Sequence, residues 1–112
     1  MKKLEIIVKP NKVEKAKMVL VAEGIGGAMF TNINGFGTQK GKTYTYNGVS
    51  YEEHIFPKVK VECVVSDEKV EPIIEAMTRE VSDGEIGDGK IFIYDIENAV
   101  RVRTGERGEK AI

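Results

Sequence analysis

The chain has 112 residues, of which 41% are hydrophobic and 31% charged, and its formal net charge is −1. That length suits a single domain over residues 1–112, and the near-neutral charge argues against a general nucleic-acid or membrane-surface binder. No apolar run approaches the roughly 18 residues of a membrane-spanning helix, and the first residues lack the apolar stretch of a signal peptide. Because the lone Cys63 cannot form an internal disulfide, we expect a cytoplasmic protein. His54 is the only histidine, which excludes a His/Cys zinc site.

The hydrophobic pattern divides the chain into strands and helices. Leu4, Ile6 and Val8 alternate with other residues, as in a strand. Asn11 and Glu14 have the spacing of a capping box for the helix that follows. The predicted elements are a strand over residues 3–9, a helix capped by Gly24, a strand over 28–36, a third over 59–65 bounded by Pro57, a second helix to about Val81, a fourth strand over 90–96 and a short fifth over 98–103. Pro72 requires that the second helix begin near Glu71 or with an irregular first turn.

This order of elements predicts an α+β fold, a ferredoxin-like βαββαβ sandwich with both helices on one face of the sheet. The other face also offers apolar residues, among them Ile7, Val64, Phe92 and Tyr94. An apolar face that the chain cannot cover predicts association between subunits. The alternative is an antiparallel sheet with scattered, partly exposed apolar residues.

A long segment, Gly37 to Phe56, separates the second and third strands of this fold. Loops of about twenty residues are uncommon in compact domains and are usually functional or disordered. Thr43–Tyr46 and the residues up to Tyr51 could pair as a hairpin across Asn47-Gly48. The segment is therefore predicted to be an arm that contacts partners or ligands.

Glycine, lysine and arginine residues near the C-terminus have the composition of a polyphosphate site. Gly87-Asp88-Gly89-Lys90 is followed by Arg101 and Arg103, which would share one face of a strand. Glycine allows backbone amides to approach an anion closely, while lysine and arginine supply positive charge. A surface turn with two solvated arginines is the alternative for so short a pattern.

Four blocks of residues resemble the PII nitrogen-regulatory signal protein family, and the resemblance spans essentially the whole chain. They are Gly35-Phe36-Gly37-x-Gln39-Lys40-Gly41, Pro57-Lys58-Val59-Lys60, Gly84-x-Ile86-Gly87-Asp88-Gly89-Lys90-Ile91-Phe92 and Arg101-x-Arg103-Thr104-Gly105. The resemblance implies a ferredoxin-like homotrimer with nucleotide sites between its subunits. It also implies a non-enzymatic sensor of nitrogen, carbon and energy state.

By resemblance, ATP or ADP would bind as an effector. Residues 87–90 would cradle the phosphates through backbone amides and the Lys90 ammonium group, while Ile7 and Val64 would border the adenine. The full implied nucleotide site is Ile7, Gly35, Gly37, Val64, Gly87, Asp88, Gly89, Lys90, Arg101 and Arg103.

Family members also bind 2-oxoglutarate alongside MgATP. By position, Lys58 would pair with the far carboxylate of the acid, and Mg²⁺ would share oxygen ligands from the phosphates, the acid and Gln39. The implied 2-oxoglutarate ligands are Gly37, Gln39, Lys40, Gly41 and Lys58.

The long loop over residues 37–56 would be the output of the sensor. By resemblance it would dock on an ammonium transporter or on enzymes and regulators of nitrogen metabolism, so that a membrane is met only through a channel partner. Tyr51 holds the position of the family's nucleotidylated tyrosine. The neighbouring Asn47, Val49 and Ser50 depart from the usual signature and leave modification open.

Two further departures bear on the nucleotide. Met29 stands where the family has a threonine near the adenine, and Thr38 stands where it has an arginine before Gln39. Met29 can pack on a base but cannot hydrogen-bond to it strongly, and Thr38 removes one cation. The preference between ATP and ADP is therefore open.

Two alternative functions belong to other classes. A small nucleotide-binding enzyme on this fold would need a catalytic group beside the phosphates, where Asp88 is the only nearby candidate. An RNA-binding domain shares the βαββαβ order, and Asn34-Gly35-Phe36-Gly37 echoes part of an RNA-stacking motif. The negative net charge and the polar Thr38, Gln39 and Lys40 argue against RNA, and no nucleic-acid partner is expected.

Overall fold

The computed structural model describes residues 1–37, 43–46, 48–52 and 55–112, with only the backbone described for 43–46 and 49–52. Its strands and α-helices are, in chain order, β1 (Lys2–Val8), α1 (Val13–Ala22), β2 (Met29–Phe36), β3 (Thr43–Tyr46), β4 (Val49–Glu52), β5 (Ile55–Val65), α2 (Val70–Glu80) and β6 (Lys90–Asp95). Short 3₁₀ helices cover Pro10–Lys12, Asp67–Lys69 and Gly108–Ala111. None of the helices described is long and apolar enough to cross a membrane.

The main sheet has four antiparallel strands in the order β2-β5-β1-β6. With α1 and α2 as the two connections, this is the ferredoxin-like arrangement, and the predicted fold is confirmed. β3 and β4 form a separate two-stranded sheet in which Tyr46 pairs with Val49. Gly48 has a φ of 80°, as a tight hairpin turn requires, so the predicted hairpin is confirmed at the level of the backbone.

The hydrophobic core lies between one face of the sheet and the two helices. Its most deeply buried large side chains are Leu4, Ile6, Val61, Val65 and Ile73. Cys63 is buried among them, and desolvation raises the pKa of its thiol to about 11. The thiol therefore fills space as a neutral group, as its register with Val61 and Val65 predicts.

The opposite face of the sheet, here called the open face, is less apolar than predicted. Ile7, Val64, Phe92 and Tyr94 have register positions on it, but charged side chains occupy its middle. Lys60 Nζ lies 3.6 Å from Glu5 Oε1 and 3.3 Å from Glu62 Oε1, and Lys3 Nζ lies 3.4 Å from Glu62 Oε2. Tyr94 donates a 2.6 Å hydrogen bond to Glu5. Long charged side chains therefore cover the middle of the open face. Alternation in the sequence indicates only that these residues point away from the core, not that they pair with one another.

The ends of α1 differ in how well they were predicted. The capping box of Asn11 and Glu14 is wrong, because residues 10–12 form a 3₁₀ turn and no side chain caps the helix start. The role of Gly24 is confirmed. It has a φ of 76°, its amide donates to Val21 O at 3.0 Å, and the next amide donates to Leu20 O at 2.9 Å.

Pro72 and Pro57 each lie within a regular element, at a position where a missing backbone amide is tolerated. Pro72 is the third residue of α2, within the first turn, where its missing amide has no acceptor to lose. Pro57 lies within β5 rather than bounding it, so the predicted start of this strand is wrong. Pairing with β1 extends only to Val59, which leaves Pro57 with a single neighbouring strand.

The predicted fifth strand over 98–103 is wrong. Residues 102–104 form a turn, closed by a 2.7 Å hydrogen bond from the Gly105 amide to Arg101 O. Only an isolated bridge between Val100 and Arg107 remains of extended pairing. Gly105, with a φ of 74°, lets the chain reverse where alternation suggested continuation.

Candidate functional site

Residues 82–89, here called the glycine loop, connect α2 to β6 and pass close to the end of β1. Gly89 has a φ of 117°, and a Cβ atom placed there would lie 1.7 Å from the carbonyl oxygen of Ile7. Lys90 pairs with Ile7 in the sheet, so the loop joins β6 beside this contact. A side chain is therefore excluded at Gly89 by both the backbone angle and the space.

The Asp88 carboxylate is bonded inside the glycine loop. It accepts hydrogen bonds from Ser82 Oγ at 2.7 Å, from the Gly84 amide at 2.9 Å and from the Asp83 amide at 3.2 Å. The hydrogen bond from Ser82, followed by those from Asp83 and Gly84, holds the pKa of Asp88 well below its usual range. Asp88 therefore remains ionised and serves as an acceptor, which makes it a poor general base.

Cationic side chains surround the loop. Lys58 of β5 donates a 2.7 Å hydrogen bond to the carbonyl oxygen of Gly87. Burial and the nearby positive charge of Lys9 lower the pKa of Lys58, and the charge of Asp88 opposes this shift. Lys9 and Lys12 lie 3.6 and 3.9 Å from Asp83 Oδ2. Several lysine side chains therefore lie close to the glycine loop, and their positive charge would favour binding of an anion there.

A cleft of about 320 Å³ opens between the glycine loop, the end of β2 and the open face of the sheet. It brings together many of the predicted residues: Ile7, Gly35, Gly37, Lys58, Gly87, Gly89 and Lys90. The prediction missed its apolar members, which are Phe36, Phe56, Ile86 and Phe92. Phe36, Ile86 and Phe92 stand inside the blocks already identified, and their apolar side chains within these glycine-rich blocks were the available signal.

Val64, Arg101 and Arg103 lie apart from this cleft. Arg101 and Val64 border a second cleft of about 510 Å³, together with the Gly24–Gly27 stretch and the C-terminal Ile112. Val64 pairs with Lys3, while Ile7 pairs with Lys60, so the two levels are four residue steps apart along β5, or roughly 13 Å. One chain therefore does not bring the arginines to the glycine loop.

The two arginines also do not share the face of a strand, because the predicted strand is absent. Arg101 lies 3.6 Å from Glu106 through its guanidinium group, and its amide donates to Glu106 O at 2.9 Å. Arg103 lies in the exposed turn that follows. Between them, the side chain of Val102 is almost fully exposed at 99%.

The predicted 2-oxoglutarate ligands Gln39, Lys40 and Gly41 fall outside the described part of the chain. So do three other residues considered above, Thr38, Asn47 and His54. Tyr51 lies in β4 opposite Tyr44, where only the backbone is described.

The described residues do not form a metal site by themselves. No group of three or more His, Cys, Asp or Glu residues among them could hold a metal ion. Gln39, the implied Mg²⁺ ligand, lies outside the described residues.

Over its whole length the chain is similar to proteins of one family. The family model described as nitrogen regulatory protein P-II matches residues 1–106. Nitrogen regulatory protein P-II of Rhodospirillum rubrum is 50% identical, and that of Pasteurella multocida 49%, each over 112 residues and 100% of both chains. The crystal structure of Arabidopsis thaliana PII bound to citrate has a TM-score of 0.79 and 38% identity, covering 99% of this chain and 91% of that one.

Proposed function

Because the chain belongs to the nitrogen regulatory protein P-II family, we propose that it senses ATP or ADP and, together with MgATP, 2-oxoglutarate. P-II proteins are signalling proteins rather than enzymes, and the expectation that this chain is not an enzyme is confirmed.

The observation that carries the proposal is the convergence of the glycine loop, Lys90 and Lys58 on one cleft. A nucleoside triphosphate carries several negative charges and needs both cations and closely approaching amide donors. The tight turn at Gly89 and the lysines around it supply these, and Phe36 and Phe92 offer apolar surface for a base.

We infer that the complete nucleotide site is shared by two subunits of a homotrimer. The separation of Val64, Arg101 and Arg103 from the glycine loop within one chain supports this, because a neighbouring copy could supply the missing half. Both edge strands also carry exposed apolar side chains, Met29 and Phe36 on β2 and Phe92 and Ile93 on β6. Association of such edges between copies would give a closed ring.

For 2-oxoglutarate we propose binding beside the nucleotide, with Lys58 as the partner of the far carboxylate. Lys58 already reaches the glycine loop through Gly87, so one side chain would contact both the acid and the phosphate-binding backbone. Gly37 lines the same cleft, and Gln39, Lys40 and Gly41 follow it in sequence. The citrate in the related Arabidopsis structure is likewise a polycarboxylate.

The proposed output is the loop over residues 37–56, which contains the β3–β4 hairpin. Gly37 and Lys58 lie near its two ends and line one cleft, so a ligand bound there would change the conformations available to the arm. Its targets would be an ammonium transporter or regulators and enzymes of nitrogen metabolism in the cytoplasm, and Tyr51 is the proposed modification site.

Titration calorimetry of 2-oxoglutarate with and without MgATP tests the proposal. The sensor requires that the acid bind tightly only when MgATP is present, because the metal and phosphates supply part of its site. Equal binding under both conditions, or absence of any ATP binding, would contradict it.

A further inference from the structure

The glycine loop owes its shape to polar contacts rather than to burial. Residues 82–86 are exposed, and Ile86 is 71% exposed, so packing against the core does little to fix them. Asp88 is flanked by two glycines with positive φ angles, Gly87 at 94° and Gly89 at 117°. Glycine has the widest range of backbone conformations, so this segment needs an anchor to remain in one of them.

The Asp88 carboxylate is placed to be that anchor. Its bonds to Ser82 Oγ and to the amides of Asp83 and Gly84 close a ring from the start of the loop to its end. The Ser82 hydroxyl also accepts a 3.1 Å hydrogen bond from the Gly84 amide, and the Asp88 amide donates to Glu85 O. The ring is tied to β5 through Lys58, which donates a hydrogen bond to Gly87 O, and to the segment after β1 through Lys9 and Lys12, which lie near Asp83.

We propose that the side chains of Asp88 and Ser82 are positioning residues for polyphosphate binding, acting by holding the glycine loop in its anion-binding shape. This inference rests on the proposed nucleotide function. The effect of Asp88 on polyphosphate binding would then be the opposite of what its negative charge alone predicts. A carboxylate beside a polyphosphate repels it, yet here the carboxylate strengthens binding because it fixes the backbone that carries the donors.

The two effects can be separated by their direction. Asp88→Asn removes a negative charge near the phosphates, so electrostatics alone predicts tighter ATP binding. Loss of the anchor predicts weaker binding, by roughly 10- to 100-fold, because charge-assisted hydrogen bonds are lost. Glu85→Gln is the matched control, since it removes the same charge from an exposed position of the same loop, and its side chain makes no hydrogen bond among the described residues.

Calorimetric affinities for AMP, ADP and ATP would be measured for the wild type, Asp88→Asn, Ser82→Ala, Ser82→Thr and Glu85→Gln. We expect the loss in Asp88→Asn to increase with the number of phosphates, a smaller loss in Ser82→Ala, and recovery in Ser82→Thr, which restores the hydroxyl. Glu85→Gln should bind ATP as tightly as the wild type or more tightly.

Two results would overturn the inference while leaving the proposed function intact. One is an Asp88→Asn variant that binds ATP as well as the wild type does. The other is an equal loss for AMP and ATP accompanied by a lower melting temperature without nucleotide, since general unfolding rather than positioning would then explain the loss. A wild-type protein that binds no nucleotide would instead contradict the proposed function and this inference together.

Discussion

Gly89 is the residue of the glycine loop at which a side chain is most strongly excluded. The chain there has a left-handed backbone, and the space that a side chain would occupy is filled by the carbonyl of Ile7. Gly84, in the same loop, also has a positive φ of 81°, but nothing lies within 4 Å of the position that its Cβ would take. Comparing Gly89 with Gly84 therefore distinguishes two reasons for glycine, a positive φ angle and a lack of space for a side chain.

Gly89→Ala should therefore damage the site far more than Gly84→Ala. Both substitutions carry the cost of a left-handed alanine, on the order of 1 kcal/mol, but only Gly89→Ala must also displace β1 or the loop, at about 1–3 kcal/mol more. Urea unfolding and ATP calorimetry of both variants would measure the difference. Equal losses of stability and ATP affinity in the two variants would contradict this prediction, because the loop would then accept a Cβ atom at Gly89 without an energetic cost.

Lys58 contacts the glycine loop as well as lining the cleft, and this changes what its removal should do. Lys58→Met should weaken 2-oxoglutarate binding by roughly 10- to 100-fold through loss of the ammonium group. It should also weaken ATP binding by a smaller factor, because Gly87 loses its donor. Lys15→Met, on α1, is a control of the same chemistry outside the cleft. Unchanged binding of the acid in Lys58→Met would refute the role of Lys58.

Asp88 makes stability depend on pH in a definite direction. Its folded-state pKa lies below the unfolded value of about 3.9, so the ionised carboxylate stabilises the fold above that pH. This contribution is lost as the pH falls below about 4 toward the folded-state value. The melting temperatures of wild type and Asp88→Asn should therefore converge between pH 6 and pH 2, and a gap that stays constant or widens would contradict the assignment.

At the scale of elements, the sequence predicted strands and helix ends best where a local residue pattern is compatible with only one structure. The predicted bounds of β1, β2 and β6 are close to those observed, and Gly24 predicted the end of α1. The failures came where local patterns competed with longer-range geometry. Val100 to Arg103 alternate as a strand would, but Gly105 reverses the chain. Pro57 suggested a boundary, yet β5 continues because it has only one neighbour there.

The candidate site shows the same division. The glycine loop and Lys90 were predictable because glycine and lysine composition reports directly on anion binding. The bonding of Asp88 to Ser82 was not, since five residues of irregular backbone lie between them and no periodic pattern reports such a contact. Phe56 was missed because it lies outside the four blocks and reaches the cleft only through its pairing with Gly35 of β2.

At the scale of the whole molecule, the open face and the two edge strands are the surfaces that a homotrimer would use. We expect sedimentation to give about three times the 12.4 kDa chain mass. The ion pairs of Lys60 with Glu5 and Glu62 would be buried by such an assembly.

Burial of these pairs would make single substitutions costly. Lys60→Met should weaken the trimer strongly because it leaves two carboxylates near one another without that cation, by about 3–5 kcal/mol if they are fully buried. Adding Glu5→Gln and Glu62→Gln should restore much of the loss. Sedimentation across a dilution series of both variants would test this, and equal dissociation of the single and triple variants would argue against burial of the cluster.

The central claim, that one triphosphate is bound by groups from two neighbouring subunits, is tested most directly by mixing two defective chains. Lys90→Ala damages the glycine-loop half of the site, and Arg101→Ala damages the other half. Each homotrimer should bind ATP weakly. Coexpressed in equal amounts, random mixed trimers should recover tight binding at about a quarter of their sites, since each half must come from the chain that retains it. Calorimetry showing that quarter would support the account, whereas mixed trimers with no recovered site would contradict it.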